Sequence, residues 1–590
     1  MIVISASLKN KTSSPRAKLI RAQTPEVADK SKGKINKSAT GIWMHTRSKI
    51  VVLCQVLMLL TTNAHAQQRP NILLIMAEDM SARVGAFGDE VAVTPNLDRL
   101  ASTSIRYPNT FTTAGVCAPS RAAHILAVHQ MSVGAQHMRT RSFKESPYRS
   151  VPPAHIKAYP ELLRRQGYYT FTSSKLDYQF SNTSAGSGPF SIWDYEGAEP
   201  TWQGRADGQP FFGFVTLTET HEQQMFPRKV AMNNAKGSRS KVVHADQVLV
   251  PPYYPDHDTI RTDIAQHYNN IFTMDQMVGK WLLQLREDGL AENTIVIWTT
   301  DHGDGLPRAK REIYDSGIRV PLIIHWPKGI KPETLIPGSD DKKLISFVDI
   351  GPSILAIAGI PVPDYMHGSA QLVPGASPER NYIYAAKDRL DGFNSRERAV
   401  RDGQFKYIKN SLPNIPGAQH IAYRDRLATM QTLWQYLSAG KLNTAQRFWF
   451  EPRPAEELYD IVADPHEINN IVDSSKHIST LDRMRSALTD WQSRIVDYSE
   501  VTELAMAKDF WPDGEQPVTQ VPQIIINSAG VASIVPSEAD DSVGYRVNGG
   551  TWRLYSKPLR IPKSTLLEAK SVRYGWAESP LTRASHTADD

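Results

Sequence analysis

The chain has 590 residues, 41% hydrophobic and 22% charged, a composition that excludes fibrous and disordered classes and a length that implies two or more domains. Its net charge is +6, yet residues 1–66 hold 11 Lys or Arg against 2 Asp or Glu. That local excess leaves residues 67–590 about three charges negative, so the body lacks the basic footprint of a nucleic-acid binder.

The leader has two parts. Residues 1–43 are polar and basic and are expected to carry no fold. From Met44 the pattern is that of a secretion signal. Arg47 and Lys49 precede an apolar run at 50–60 (IVVLCQVLMLL), and Ala64-His65-Ala66 forms a cleavage site before Gln67. The run is too short for a bilayer, which takes roughly 20 residues. No membrane span is expected, and the mature protein is predicted to be periplasmic or secreted. Cleavage removes Cys54 and leaves Cys117 as the lone cysteine, so no internal disulfide can form. A single thiol in an oxidising setting is either buried or put to chemical use.

From residue 69, short apolar runs alternate with amphipathic segments, which predicts an α/β fold built on a large, mostly parallel sheet flanked by helices. Strands are expected at 71–76 (NILLIM), 168–172, 211–217 (FFGFVTL) and 294–298 (TIVIW). Between the last two, Ile264, Tyr268, Ile271, Met274, Val278, Trp281 and Leu285 recur at helical spacing, with Gly289 as the stop. The strands end in polar residues: Glu78-Asp79, Lys175, Thr220-His221 and Asp301-His302. Open α/β sheets bind ligands at the carboxyl ends of their strands, so these residues should converge on one edge.

Residues 344–358 read as a further core strand or helix, and Pro and Gly cluster from 359 to 375. Beyond lies a smaller α+β unit, and after Pro512 come short β-rich pieces separated by turn residues, read as a β-sandwich-like module of about 75 residues. The predicted organisation is a leader at 1–66 with its signal at 44–66, a main α/β domain at 67–375, a smaller subdomain at 376–511 and an accessory module at 512–590.

The most specific local signal is Cys117-Ala118-Pro119-Ser120-Arg121. Pro119 suits the first turn of a helix, which puts Cys117 at a helix N-terminus, where free N–H groups and the dipole favour an anion. Arg121, one turn in, adds a charge-assisted donor. The bland alternative is a capped helix with a surface arginine.

This segment resembles the C-x-P-S-R signature of type I sulfatases, of the alkaline phosphatase superfamily, in which the cysteine is oxidised to formylglycine (3-oxoalanine). The segments RPNILLIMAEDM (69–80), TPNLDRLA (94–101), GYYTFTSSK (167–175) and PFFGFVTLTETH (210–221) resemble the family in order. So do IVIWTTDHGD (295–304), AKREIYDSGIRVP (309–321) and ELYDIVADPHE (457–467). The resemblance implies an exported hydrolase of sulfate esters of a carbohydrate, with oligosaccharides from polysaccharide degradation as its substrates.

Carried over residue by residue, Glu78, Asp79, Asp301 and His302, with position 117, would hold one divalent cation, and their oxygens suit Ca2+. In the implied mechanism the hydrated aldehyde at 117 attacks sulfur through a hydroxyl activated by the cation. Arg121, Lys175 and Lys310 would counter the charge on the sulfate oxygens. His221 and Lys310 are the candidates to protonate the departing alkoxide. The second hydroxyl then loses its proton, sulfate leaves, and the aldehyde returns.

One departure from the family stands out. The GKxH histidine is replaced by Asp177, so either Asp177 or a nearby histidine, His137 or His124, would take that proton; His124 is expected to face the core. Arg389 and Asp391, in the KDRLD run, read first as a solvated charge run and are also candidates for the substrate rim. The implied partners are the sulfated carbohydrate and a formylglycine-generating maturation enzyme. Three other readings are a phosphate or phosphonate ester hydrolase of the same superfamily, a thiolate hydrolase with a histidine base, and a non-catalytic glycan-binding relative.

Overall fold

A computed structural model of the chain describes residues 69–197, 201–237 and 241–586. The leader and the signal read at 44–66 lie outside the described residues. Seven strands form the main sheet: β1 (Asn71–Ala77), β2 (Ile105–Arg106), β3 (Tyr169–Ser173), β4 (Tyr195–Gly197), β5 (Phe211–Leu217), β6 (Thr294–Thr300) and β7 (Leu322–His325). Their order is β2-β7-β6-β1-β5-β3-β4. The five from β6 to β4 run parallel, and β7 pairs antiparallel with β6. The sheet is therefore mixed and mostly parallel.

Strand β1 is buried along its whole length. Ile72, Leu74 and Met76 face one hydrophobic layer, and Leu73 and Ile75 face the other. This two-sided burial explains why the strand reads as a continuous apolar run without alternation. One layer is closed by α1 (Cys117–Leu126) and α3 (Ile350–Ile357), through Ile125, Ile350 and Ile354. The other is closed by α2 (Asp258–Glu287), through Ile264, Tyr268, Ile271, Met274 and Val278. Helix α2 starts six residues before Ile264, the first of its predicted apolar stripe, and is capped by His257. It ends before Gly289, whose φ of 69° only glycine adopts without strain.

The segment 344–358 is neither one strand nor one helix. Ile345–Ser346 pairs with Thr110–Phe111, a short turn follows at Phe347–Asp349, and α3 begins at Ile350. Asp349 accepts from Ser346 N (2.8 Å) across that turn, which switches the backbone from strand to helix within three residues.

Next along the chain, β8 (Ile383–Lys387), β9 (Glu397–Arg401), β10 (Phe405–Asn410) and β11 (Glu456–Asp460) form an antiparallel sheet in that order. Helix α4 (Ile478–Gln492) covers one face through Met484, Leu488 and Trp491. The remaining chain forms two antiparallel sheets between Gln523 and His586. Among the described residues no helix is long and apolar enough to cross a membrane.

The terminal sheets are tied to the main domain at Glu161. Its buried carboxylate accepts hydrogen bonds from Ser542 Oγ (2.6 Å), Tyr574 Oη (2.7 Å) and Ser191 Oγ (2.6 Å), and pairs with Arg165 (2.7 Å). The Tyr574 ring stacks on Phe180 at 4.9 Å. Burial alone would raise the carboxyl pKa, but Lys157, Arg165 and the hydroxyls hold it down to about 2. A carboxyl depressed on folding stabilises the fold above its unfolded value, near 4.5, and that contribution fades as pH falls towards 2. Glu161→Gln should therefore cost on the order of 2–3 kcal/mol in denaturant titrations at pH 7. The gap to wild type should narrow below about pH 4; a gap independent of pH would contradict this account.

Candidate active site

The register of the three central strands decides what meets at their ends. Ala77 lies level with Leu217 on β5 and with Thr300 on β6. The residues that follow, Glu78-Asp79, the 218–221 segment and Asp301-His302, are thus delivered to one edge. The pairing continues one step further, since Glu78 N donates to Leu217 O at 3.1 Å and Asp301 N to Ala77 O at 3.0 Å. Asp79 turns sharply there with φ 49°, a left-handed conformation that Asp tolerates better than most residues.

Cys117 opens α1, whose ten residues are all buried. Its Sγ lies 3.2 Å from His302 Nε2 and 3.7 Å from Asp79 Oδ1. Ser120 Oγ donates to Asp301 O (2.6 Å), fixing the helix to the end of β6. Arg121, 1% exposed, donates through Nε to Asp301 Oδ2 (3.0 Å) and through Nη1 to Thr216 Oγ1 (3.2 Å). Its Nη2 stands 3.7 Å from Glu78 Oε1 and has no hydrogen-bond partner among the described residues.

Asp79, Cys117, Asp301 and His302 offer four ligand atoms within 4.8 Å of one another, a grouping that could hold a metal ion. The imidazole supports this. Its Nδ1 lies 3.0 Å from the Gly303 carbonyl, which can only accept, so Nδ1 carries a proton and Nε2 is the free position. That Nε2 faces Asp79 Oδ1 at 3.0 Å and Asp301 Oδ1 at 3.7 Å. A lone pair against two carboxylates is repulsive unless a proton or a cation lies between them. Burial opposes charge on His302, but Asp301, Cys117 and Asp79 raise its pKa to about 10. The donor set therefore fits a cation. Glu78 stands in a second grouping with Cys117 and His221, where its carboxylate pairs with Lys175. Gly303 holds the loop close to the Ser316 carbonyl, where any Cβ would clash.

Cations surround the same point. Lys310 Nζ pairs with Asp79 Oδ2 and lies 3.4 Å from Glu222 Oε1. Burial would raise the Cys117 thiol, yet Lys175 and Lys310 draw it down to about 6. Asp301 is likewise held at about 2 by His302 and Arg121 against the effect of burial. His221 accepts from Gln223 N through Nδ1 (3.3 Å), so its Nε2, 4.0 Å from Asp79 Oδ2, carries the proton in the neutral ring.

Asp177 is at the site. It lies 3.7 Å from Lys175 Nζ and accepts from Arg139 Nη1 at 2.8 Å. Burial would raise its carboxyl, but Arg139 and Lys175 keep it below the usual range. His137 instead accepts from Arg389 N at 3.3 Å and faces Glu503 at 3.8 Å, and burial lowers it to about 3. His124 lies among the rings of Tyr159, Phe214 and Phe347 in the core. Arg389 is held in a two-pronged pair with Glu503, and Asp391 follows with φ 52°.

Three side chains were not legible from the motifs. Arg139 pairs with Asp177, while Glu222 accepts two bonds from Arg311, at 2.9 and 2.7 Å. The one available signal was that each adjoins or nearly adjoins a residue already singled out: Glu222 beside His221, Arg311 beside Lys310, and Arg139 two positions from His137.

A sequence model described as Sulfatase matches residues 70–360. An ulvan-active sulfatase of Formosa agariphila is 37% identical over 563 residues, covering 89% of this chain and 92% of that protein. The N-sulphoglucosamine sulphohydrolase of Homo sapiens is 25% identical over 492 residues, 75% of this chain and 93% of that one. The solved structure of a 2-O GAG sulfatase aligns with 74% of this chain and 94% of its own at 19% identity and a TM-score of 0.52, a likeness of fold. With 37% identity across most of both chains, this chain belongs to the sulfatase family and is a sulfuric ester hydrolase.

Proposed function

We propose that this sulfatase is exported and releases sulfate from oligosaccharides derived from a sulfated polysaccharide, acting through Cys117 converted to formylglycine. The observation that carries the reading is the position of Cys117 at a helix start, with metal-type donors on one side and lysines drawing its thiol down on the other. The relatives named for ulvan and for N-sulphoglucosamine support a carbohydrate substrate. Conversion of Cys117 calls for a maturation enzyme, and the signal read at 44–66 supports a periplasmic or secreted location.

Asp79, Asp301, His302 and Glu78, with position 117, would hold one cation, and the carboxylate oxygens favour Ca2+. When bound, the ion supplies Lewis-acid polarisation and charge neutralisation at the reacting centre. Arg121, with Nη2 uncommitted, joins Lys175 and Lys310 in binding the sulfate oxygens. His221 presents its Nε2 proton to the leaving oxygen. Asp177, beside Lys175, takes the proton-accepting role that the family gives to a histidine, and Arg139 orients it. His137 is the weaker candidate, since its Nδ1 is engaged by Arg389 N. Arg389 acts through its pair with Glu503 to shape the rim near Asp391. The division at 67–375, 376–511 and 512–590 belongs to this same reading.

Ion chromatography of digests provides the test. Sulfate should appear from ulvan oligosaccharides, and aryl phosphate should be hydrolysed far more slowly than aryl sulfate. Mass spectrometry of the peptide around Cys117 should show the aldehyde; an intact thiol in active enzyme would overturn the mechanism.

A further inference from the structure

Beside the site lies a cleft of about 540 Å³ whose lining contains three cations and no carboxylate. The cations are Arg228, Lys229 and Arg426, and among the described residues none is paired with an acid. Tyr423 joins the two regions. Its ring lies 6.5 Å from that of His221, at the reacting centre, and 5.1 Å from that of Phe226, in the cleft wall. The Arg426 guanidinium lies over both Phe226 (5.7 Å) and Tyr423 (5.5 Å).

Apart from the two rings under Arg426, nothing in the fold rewards these charges. Arg228 and Lys229 stand in the first turn of the helix Pro227–Ala235, where positive charge opposes the helix dipole and no acidic residue offsets it. The neighbouring Asp425 is committed elsewhere, accepting from Trp434 Nε1 (3.2 Å) and pairing with His420 (3.0 Å). The segment is nonetheless held firmly. Arg424, 1% exposed, donates to the Gln419 carbonyl and lies on the Trp449 ring at 4.8 Å. A rigid wall carrying unpaired cations and aromatic faces is organised for an anionic, ring-shaped ligand.

We propose that this cleft is a subsite for the sugar next to the one being desulfated, and that Arg426, with Arg228 and Lys229, binds an oxyanion on that sugar while Tyr423 and Phe226 pack against its ring. The inference rests on the carbohydrate reading above. The oxyanion is a uronate carboxylate or a second sulfate ester, both of which match the planar fork of arginine. His221, the proposed proton donor, stands between the two positions, so the leaving oxygen faces the reacting centre while the rest of the chain extends past Tyr423.

The test compares a sulfated oligosaccharide carrying a neighbouring uronate, its carboxyl-reduced form, a form lacking the second sulfate, and 4-nitrophenyl sulfate. In Arg426→Ala, and in Arg228→Ala combined with Lys229→Ala, the ratio of kcat/KM for the oligosaccharide to that for the aryl ester should fall about tenfold or more, mainly through KM. Loss of the variant's effect on carboxyl reduction assigns the carboxylate, and its loss on removal of the second sulfate assigns the sulfate. An effect retained with both forms overturns the proposal. Calorimetry with a fully desulfated uronate oligosaccharide, using wild type and Arg426→Ala, separates the two levels of inference. Binding lost in the variant while no oligosaccharide is desulfated keeps the subsite and removes the proposed substrate. Desulfation with a ratio unchanged by Arg426→Ala removes the subsite and keeps the substrate.

Discussion

Cys117→Ala should lower sulfate release by at least about 10⁴-fold while leaving the fold intact, because loss of an attacking group cannot be compensated by the residues that only bind and neutralise charge. The structure separates these two consequences. Cys117 starts α1 without capping it, and Ser120 and Arg121, which fasten the helix to Asp301, are untouched. Thermal unfolding of the variant should thus resemble that of wild type, and substrate binding should persist. Activity within tenfold of wild type would refute the assignment of the attacking group to position 117.

Asp301→Asn should act on both activity and stability. Asp301 Oδ2 accepts from Arg121 Nε, and Oδ1 accepts from Asp79 N and faces His302. Neutralising it leaves a buried guanidinium short of its counter-charge, a change that costs about 3–5 kcal/mol in comparable buried pairs. Sulfate release should fall at least about 100-fold. The cation provides an independent readout. Added Ca2+ at 100 times its dissociation constant should stabilise wild type by about 2.7 kcal/mol and raise its melting temperature. The variant should lose that rise, and a rise of wild-type size would show that Asp301 is not a ligand.

The sequence exposed the frame of this site more readily than its finish. Strands β1, β5 and β6 are buried on both faces, so their apolar runs stand out, and the polar pairs that follow them mark the strand ends. Parallel pairing in register then brings Asp79, Asp301 and His302 together, as the strand-end argument requires. The partners that set their charge are different. Asp177 and Arg139 are 38 residues apart, and Glu222 and Arg311 are 89 apart. Such pairs have no periodic signature, because side-chain reach and loop conformation decide them. Arg389 shows the same limit. The charged run around it reads as a solvated face or a rim, but its guanidinium is tied to Glu503, more than a hundred residues further on. The 344–358 segment is ambiguous for a local reason, since a strand, a turn and a helix share fifteen mostly apolar residues.

The Glu161 junction bears on how the chain can be shortened. The terminal sheets look in sequence like an appendage that could be trimmed at Pro512. Trimming there would strip a buried carboxylate of its Ser542 and Tyr574 donors and uncover the face of Phe180. Phe180 lies in the segment that carries Lys175 and Asp177. A shortened enzyme should therefore be judged by its turnover as well as by its solubility, since damage at the cut would reach the loop that holds the proposed sulfate ligand and base.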